Sequence, residues 1–269
     1  MQNSQPIPVV IFCGGKGSRL KEETESKPKP MVTVGGRPIL WHIMKGYAHH
    51  GFNHFIICLG YKGHMIKEYF VNHHMHLSDF HLDTLRGQKT VGEEHGGDDF
   101  KITFAETGES TMTGERLLMV QKYIPGEHYM VTYGDGVTDL NITELVDFHK
   151  RMEQQHNVFG TISGVHPRSK YGLVRRDETG RINLFQQKPI LSDYTNGGFM
   201  VFNKGFNQFL KKNQMVEDAI IDAVQAQKMA LYNHDGFWQC MDTYQDMEEL
   251  NKQWEQGAKW KIWETKNGM

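Results

Sequence analysis

The chain has 269 residues, and its 30 Lys+Arg against 32 Asp+Glu leave a formal net charge of -2 at pH 7, which excludes a broad basic field able to hold a nucleic acid by its phosphates. Cys13, Cys58 and Cys240 are odd in number and lack C-x-x-C spacing, so neither a disulfide framework nor a cysteine zinc site is expected, and a reducing cytoplasm fits best. No stretch supplies the ~20 apolar residues of a membrane-spanning helix, and the residues before Val9 lack the features of a secretory leader.

The length suits one α/β domain over residues 1-269. Val9-Val10-Ile11-Phe12-Cys13 is a β-branched and aromatic run, as expected of a strand buried on both faces, and it enters the glycine-rich Gly14-Gly15-Lys16-Gly17-Ser18-Arg19. Pro38 opens a predicted helix through Tyr47 that stops near Gly51, followed by a strand at Phe55 to Leu59 and a helix at His64 to Val71. After a His-, Gly- and acid-rich excursion at 72-99, too long for an ordinary connection, the alternation resumes. A strand at Phe100 to Phe104, a helix from Glu115 to Lys122, a strand at Tyr129 to Thr132 and a helix from Thr143 to Gln155 predict a parallel sheet. Beyond Val158 the strand-like runs shorten: Gly160 to Gly164, Tyr171 to Val174, Ile182 to Phe185 and Gly198 to Phe202, with a hairpin turn at Asp177-Glu178-Thr179-Gly180. Antiparallel structure is therefore expected to cover the end of the sheet.

Two segments carry candidate phosphate chemistry. Gly15-Lys16-Gly17-Ser18-Arg19 removes side chains where a backbone must approach a triphosphate, and Lys16 and Arg19 can supply charge-assisted bonds to its oxygens. It lacks both the G-K-[ST] ending of a P-loop and the dinucleotide spacing G-x-G-x-x-G. Lys27-Pro28-Lys29-Pro30-Met31 holds two lysines on a proline-stiffened segment that cannot lie inside a helix. Asp135, after an apolar strand and between Gly134 and Gly136, is placed at the carboxyl end of the sheet, where open α/β folds bind ligands; an Asp-Gly turn is the plainer alternative. Asp242 is either a second acidic ligand or the N-cap of a helix from Thr243 to Trp254. His49-His50 and His73-His74-Met75-His76 form no convincing ligand set and are assigned to surface or interface.

Gly14-Gly15-Lys16-Gly17-Ser18-Arg19-Leu20 followed by Lys27-Pro28-Lys29-Pro30-Met31 resembles the signature of the nucleoside-diphosphate-sugar pyrophosphorylases. Pro38 to Met44, Gly60-Tyr61-Lys62-Gly63, Ser110 to Gly114, Thr132 to Gly136 and Gly236 to Thr243 are similar to the cytidylyltransferases of that family that act on glucose 1-phosphate. The resemblance implies a Rossmann-like core, a mostly parallel sheet with helices on both faces and a smaller antiparallel sugar-binding portion. It implies transfer of a cytidylyl group from CTP to a hexose 1-phosphate with Mg²⁺, giving CDP-glucose for surface polysaccharide, and a homo-oligomer. By the same resemblance Arg19 and Lys29 serve the triphosphate, Gly14, Gly15, Gly17, Ser18, Thr113, Gly114 and Tyr133 line the nucleotide side, Gln187, Lys188 and Asn196 meet the sugar phosphate, and Asp135 with Asp242 bind Mg²⁺.

Two positions depart from the family pattern. The usual Glu-Lys-Pro is Gln187-Lys188-Pro189, which bears on the sugar, and the usual Thr-Gly-Gly is Thr113-Gly114-Glu115, which bears on the base. Alternatives are the same transfer from UTP or dTTP, and a catalytically silent subunit that binds nucleotide sugars. The reaction itself would be a direct displacement at the α-phosphorus, with catalysis by alignment and charge neutralisation.

Overall fold

A computed structural model of the chain describes residues 6-73, 78-91 and 97-264. Its centre is a seven-stranded sheet built from β1 (Val9–Phe12), β2 (His54–Leu59), β3 (Lys101–Glu106), β4 (His128–Tyr133), β5 (Gly160–Val165), β6 (Thr195–Asn203) and β7 (Met229–His234). The order across the sheet is β7-β5-β6-β4-β1-β2-β3. β1 pairs parallel with β2 and β4, β2 with β3, and β5 with β7; β6 runs antiparallel to both of its neighbours. The late runs at 160-164 and 198-202 therefore belong to the main sheet rather than to a separate layer. The antiparallel layer beside it is the hairpin of Leu173–Arg176 with Ile182–Gln186. Its turn forms where expected: Asp177 Oδ1 accepts from the backbone of Thr179 and Arg181, and Gly180 takes a φ of 91°.

The β1 run is continuously apolar because both of its faces are covered. Val9 and Ile11 point into one buried cluster, Val10 and Phe12 into another. The first cluster is closed by α1 (Ile39–His49), α2 (Gly63–Val71), α4 (Ile142–His156) and α6 (Tyr244–Glu255), which add Leu40, Ile66, Leu145 and Leu250. The second is closed by α3 (Thr113–Val120) and α5 (Val216–Gln225), through Leu117, Val120, Ala219 and Ala223. At about 1.5–3 kcal/mol per fully buried Val, Leu or Ile, these faces supply the main drive for the sheet to form. α5 and β7 have no counterpart among the sequence-predicted elements. Gly51 ends α1 at a φ of 83°, as its position after the periodic run predicts.

Inside the 72-99 excursion, Phe80–Asp83 and Gln88–Val91 form a small hairpin. Asp98 then anchors the returning chain, accepting from Trp41 Nε1 at 2.6 Å and Lys45 Nζ at 2.9 Å, with His73 at 3.2 Å. The histidine run at 74-76 lies outside the described residues.

Candidate active site

β1 and β4 are neighbours in register, Phe12 opposite Tyr133, so the loop leaving β1 and the Gly134-Asp135-Gly136 turn leaving β4 emerge side by side at the carboxyl edge of the sheet. The Gly134 N–H donates to Phe12 O at 3.2 Å, and a Cβ at Gly134 would lie 3.0 Å from both Cys13 Sγ and Pro30 Cγ. A side chain at Gly134 would crowd the proline-stiffened segment that packs against this turn. Pro28 and Pro30 are buried there, and the single turn Lys29–Met31 presents the lysine inward. Gly17 holds a φ of 62°, and a Cβ on it would meet Thr24 Cγ2 at 2.9 Å and Lys29 Cβ at 3.0 Å. The loop and the lysine are therefore mutually positioned.

Asp242 reaches this edge through a second pairing. Gly136–Thr138 runs antiparallel to Trp238–Cys240, and Met241 N–H donates to Asp135 O at 2.8 Å. The N-cap of α6 is Thr243, whose hydroxyl accepts from Asp246 N, while Asp246 Oδ2 accepts from the backbone of Asp242 and Thr243. The capping alternative for Asp242 is thus overturned, and its carboxylate is left for the site. Lys29 Nζ sits between the two carboxylates, 2.6 Å from Asp135 Oδ2 and 2.8 Å from Asp242 Oδ1. Arg19 donates to Asp242 Oδ2 at 2.8 Å, and Lys170 Nζ stands 3.8 Å from the same oxygen. Burial acts to lower the Lys29 pKa, but the charge and hydrogen bond of Asp135, with the bond to Asp242, overcome it and hold the ammonium. Burial acts to raise Asp242, and Lys29, Arg19 and Lys170 outweigh it and hold the carboxyl below its usual range.

The donor atoms of Asp135, Cys240 and Asp242 lie within 4.8 Å of one another. Burial first, then the negative charge of Asp135, push the Cys240 thiol up, so it stays protonated and the usable donors are the two carboxylates. Hard oxygen donors beside a place for substrate phosphates fit a small divalent cation. Lys29 supplies positive charge between them.

The remaining expected residues separate into two groups. Lys188, on the segment that follows the 173-186 hairpin, adopts a φ of 48° and points its Nζ to Gln245 Oε1 at 3.4 Å, three residues beyond Asp242. It is thus carried to the rim of the same site. Gln187 is exposed beside Gly172, and the Asn196 carboxamide oxygen accepts from Gly198 N at 2.9 Å. Tyr133 donates its hydroxyl to Glu217 and packs its ring against Gly198, so burial and the Glu217 charge hold the phenol protonated. Thr113 Oγ1 accepts from Val216 N at 2.9 Å, and a Cβ at Gly114 would lie 2.8 Å from Gln214 O. Thr113, Gly114 and Tyr133 therefore converge on the start of α5; among the described residues, none of the three hydrogen-bonds to the carboxylate pair.

Sequence reasoning passed over Lys170 and Arg116. Lys170 is an exposed loop lysine, like many others in composition, and becomes distinctive when the hairpin folds it toward Asp242. Arg116 is buried at 3% exposure; it donates to Leu59 O and to Thr107 Oγ1 and reaches Gly14 O at 3.4 Å. An arginine amid the apolar positions of a short helix was the available signal, since burying one requires this full set of acceptors. It supports the glycine-rich loop from below, in the space where a Gly14 side chain would stand.

The Nucleotidyl transferase family profile matches residues 8-257, and the chain belongs to that family. A glucose-1-phosphate cytidylyltransferase of Salmonella typhi is 41% identical over 260 residues, covering 95% of this chain and 99% of that protein. A glucose-1-phosphate cytidylyltransferase of Salmonella typhimurium is likewise 41% identical with the same coverage. Among solved structures, HddC from Yersinia pseudotuberculosis superposes with a TM-score of 0.64 at 22% identity, covering 92% of this chain and 99% of that one, which is a likeness of fold.

Proposed function

We propose that the chain is a glucose-1-phosphate cytidylyltransferase, which joins CTP and glucose 1-phosphate to give CDP-glucose and pyrophosphate. The observation that carries the reaction type is the Lys29 ammonium seated between the Asp135 and Asp242 carboxylates beside the Gly14 to Arg19 loop. Relatives bearing that activity at 41% identity over nearly their full length support the base and the sugar.

Gly14, Gly15, Gly17 and Ser18 let the loop backbone approach the triphosphate, and Arg19 and Lys29 neutralise its charge. Asp135 and Asp242 are the residues that would hold Mg²⁺, which when bound neutralises phosphate charge as a Lewis acid. Lys29 already bridges both carboxylates, so its ammonium must yield at least one of them to turn toward the nucleotide. Lys188 and Lys170, at the rim near Asp242, orient the sugar phosphate; Gln187 and Asn196 meet the sugar. The attacking phosphate is anionic, so the displacement needs no general base. Alignment and charge stabilisation carry the rate. Thr113, Gly114 and Tyr133 form the base side through their attachment to α5. The protein works in the cytoplasm as a homo-oligomer.

Initial rates of pyrophosphate release with glucose 1-phosphate and Mg²⁺ test this reading. CTP should exceed UTP, dTTP and ATP. A comparable rate with another triphosphate would reject the cytidylyl assignment, and no turnover with any of them would turn the reading to a nucleotide-sugar-binding subunit.

A further inference from the structure

At the other end of the sheet, three potential metal ligands meet. His149 and Glu153 lie one helical turn apart on α4, on the same face of the helix. His128 opens β4 and reaches them from the sheet; its Nε2 is 2.7 Å from Glu153 Oε2. The donor atoms of all three lie within 4.8 Å of one another. His128 precedes Asp135 by the whole length of β4, roughly 20 Å of extended chain at ~3.3 Å per residue, so this cluster is no part of the carboxylate site.

Two features mark the cluster as more than an ion pair. His149 is fully buried, yet its Nε2 has no hydrogen-bond partner among the described residues, while its Nδ1 is bonded to Thr161 Oγ1 at 2.9 Å. A buried ring nitrogen left without a partner costs about 1–3 kcal/mol, which an occupant of the cluster would recover; the His149 and His128 ring centroids are 5.6 Å apart. Each helical ligand also has a supporting residue. Thr161 orients His149, and Asn203, paired across the strands with His128, donates to Glu153 Oε1 at 2.6 Å. Metal-binding histidines and carboxylates are commonly oriented in this way by a second ring of hydrogen bonds. His128 and Glu153 remain partly exposed, their side chains at 22% and 29%, which leaves a route for entry and for a water as fourth ligand.

We propose that His128, His149 and Glu153 form a binding site for a divalent transition metal ion of the zinc class, separate from the catalytic carboxylates. Two imidazole nitrogens and one carboxylate oxygen suit such an ion and not Mg²⁺. Ligand bonds of about 2.0–2.1 Å in a tetrahedron set donor atoms roughly 3.3 Å apart. The His128–Glu153 contact of 2.7 Å would open slightly to reach this spacing. The ion would tie α4 to β4, stabilising the fold at the sheet end away from catalysis.

The test uses the full chain stripped with a chelator and kept in millimolar Mg²⁺ to occupy the carboxylate site. Zn²⁺ is titrated against a chromophoric chelator, and Co²⁺ is followed by its visible spectrum. One equivalent of Zn²⁺ should bind with a Kd in the micromolar range or tighter and raise the thermal midpoint, and Co²⁺ should give the intense bands of a four-coordinate site. His128→Gln and Glu153→Gln should each weaken binding by about a hundredfold or more and abolish the thermal shift, with pyrophosphate release unchanged. Both residues are partly exposed, so they keep the test open should His149→Gln fail to fold. Absence of Zn²⁺ uptake, uptake insensitive to both variants, or only weak six-coordinate Co²⁺ bands would overturn the proposal.

Discussion

Lys29 sits within 2.8 Å of two carboxylates contributed by residues far apart in the chain, and the chemistry of the site turns on that contact. Asp135→Asn and Asp242→Asn should each lower turnover by roughly two orders of magnitude or more, because loss of a charged oxygen ligand removes several kcal/mol of charge stabilisation. The fold should persist, since Lys29 keeps one carboxylate partner in either variant. Steady-state rates at saturating Mg²⁺, with circular dichroism as the control, decide this, and near-native turnover in either variant rejects its role. Lys29→Ala should lower kcat/KM about a hundredfold or more. The same variant should bind Mg²⁺ more tightly without nucleotide, since its two carboxylates then face each other without a cation. Lys27 is the matched control: it pairs with Glu23 at 2.9 Å, outside the carboxylate pair. An equal loss for Lys27→Ala would mean that the general charge of the segment, not one positioned ammonium, is being read.

The loop between β1 and the Lys29–Met31 turn depends on one backbone conformation. At Gly17, φ is 62°, and a Cβ would press on Thr24 and on Lys29 itself. Gly17→Ala carries a left-handed conformational cost of about 1–2 kcal/mol, and relieving the contact displaces the lysine. The expected outcome is a modest fall in thermal midpoint with at least a tenfold loss of kcat/KM, measured on the same preparation. A variant that loses stability but keeps full kcat/KM would uncouple the loop from Lys29. The glycine pattern after the first strand was legible in the sequence. Its dependence on Arg116 was not, because that support comes from α3 and from the carbonyl of Leu59, which the sheet alone brings under the loop.

For the whole molecule, acid stability should follow two buried histidines. Burial lowers His42 and His149 from 6.5 to about 4. His42 is held by a bond from its ring to Val34 O at 2.8 Å and packs among Trp254, Trp260 and Trp263. As pH falls below about 6.5 the unfolded chain protonates these rings, whereas the fold resists until about 4, so stability falls across that window. Each contributes on the order of 2–3 kcal/mol of loss in the metal-free protein. His234 is shifted the opposite way: burial opposes its charge, but Asp139 outweighs it, so it gains stability as pH falls and offsets part of the loss. The lowered carboxyls of Asp98, Glu153 and Asp242 begin to lose their contribution from about pH 5 downward and so add to the decline at its acid end. Urea unfolding of chelator-treated protein from about pH 7 to about pH 4.5 should show the decline, and His42→Gln should flatten it. A flat profile in the native chain would contradict neutral burial.

The alternation of buried strands and amphipathic helices, the glycine and proline positions of the first loops, and the family to which the chain belongs were readable from the residues alone. Those features are local: a β-branched run, a periodic apolar stripe and a proline restrict the backbone wherever the chain goes. Tertiary structure decided that β6 enters the main sheet antiparallel, that Thr243 rather than Asp242 caps α6, and that Lys170 joins Lys188 at the rim. It also decided that His128 meets His149 and Glu153. Each of these depends on register between strands distant in sequence, such as Gly136 opposite Cys240 and His128 opposite Asn203. Register is set by how both faces of the sheet bury their side chains at once, a condition that no local window of residues contains.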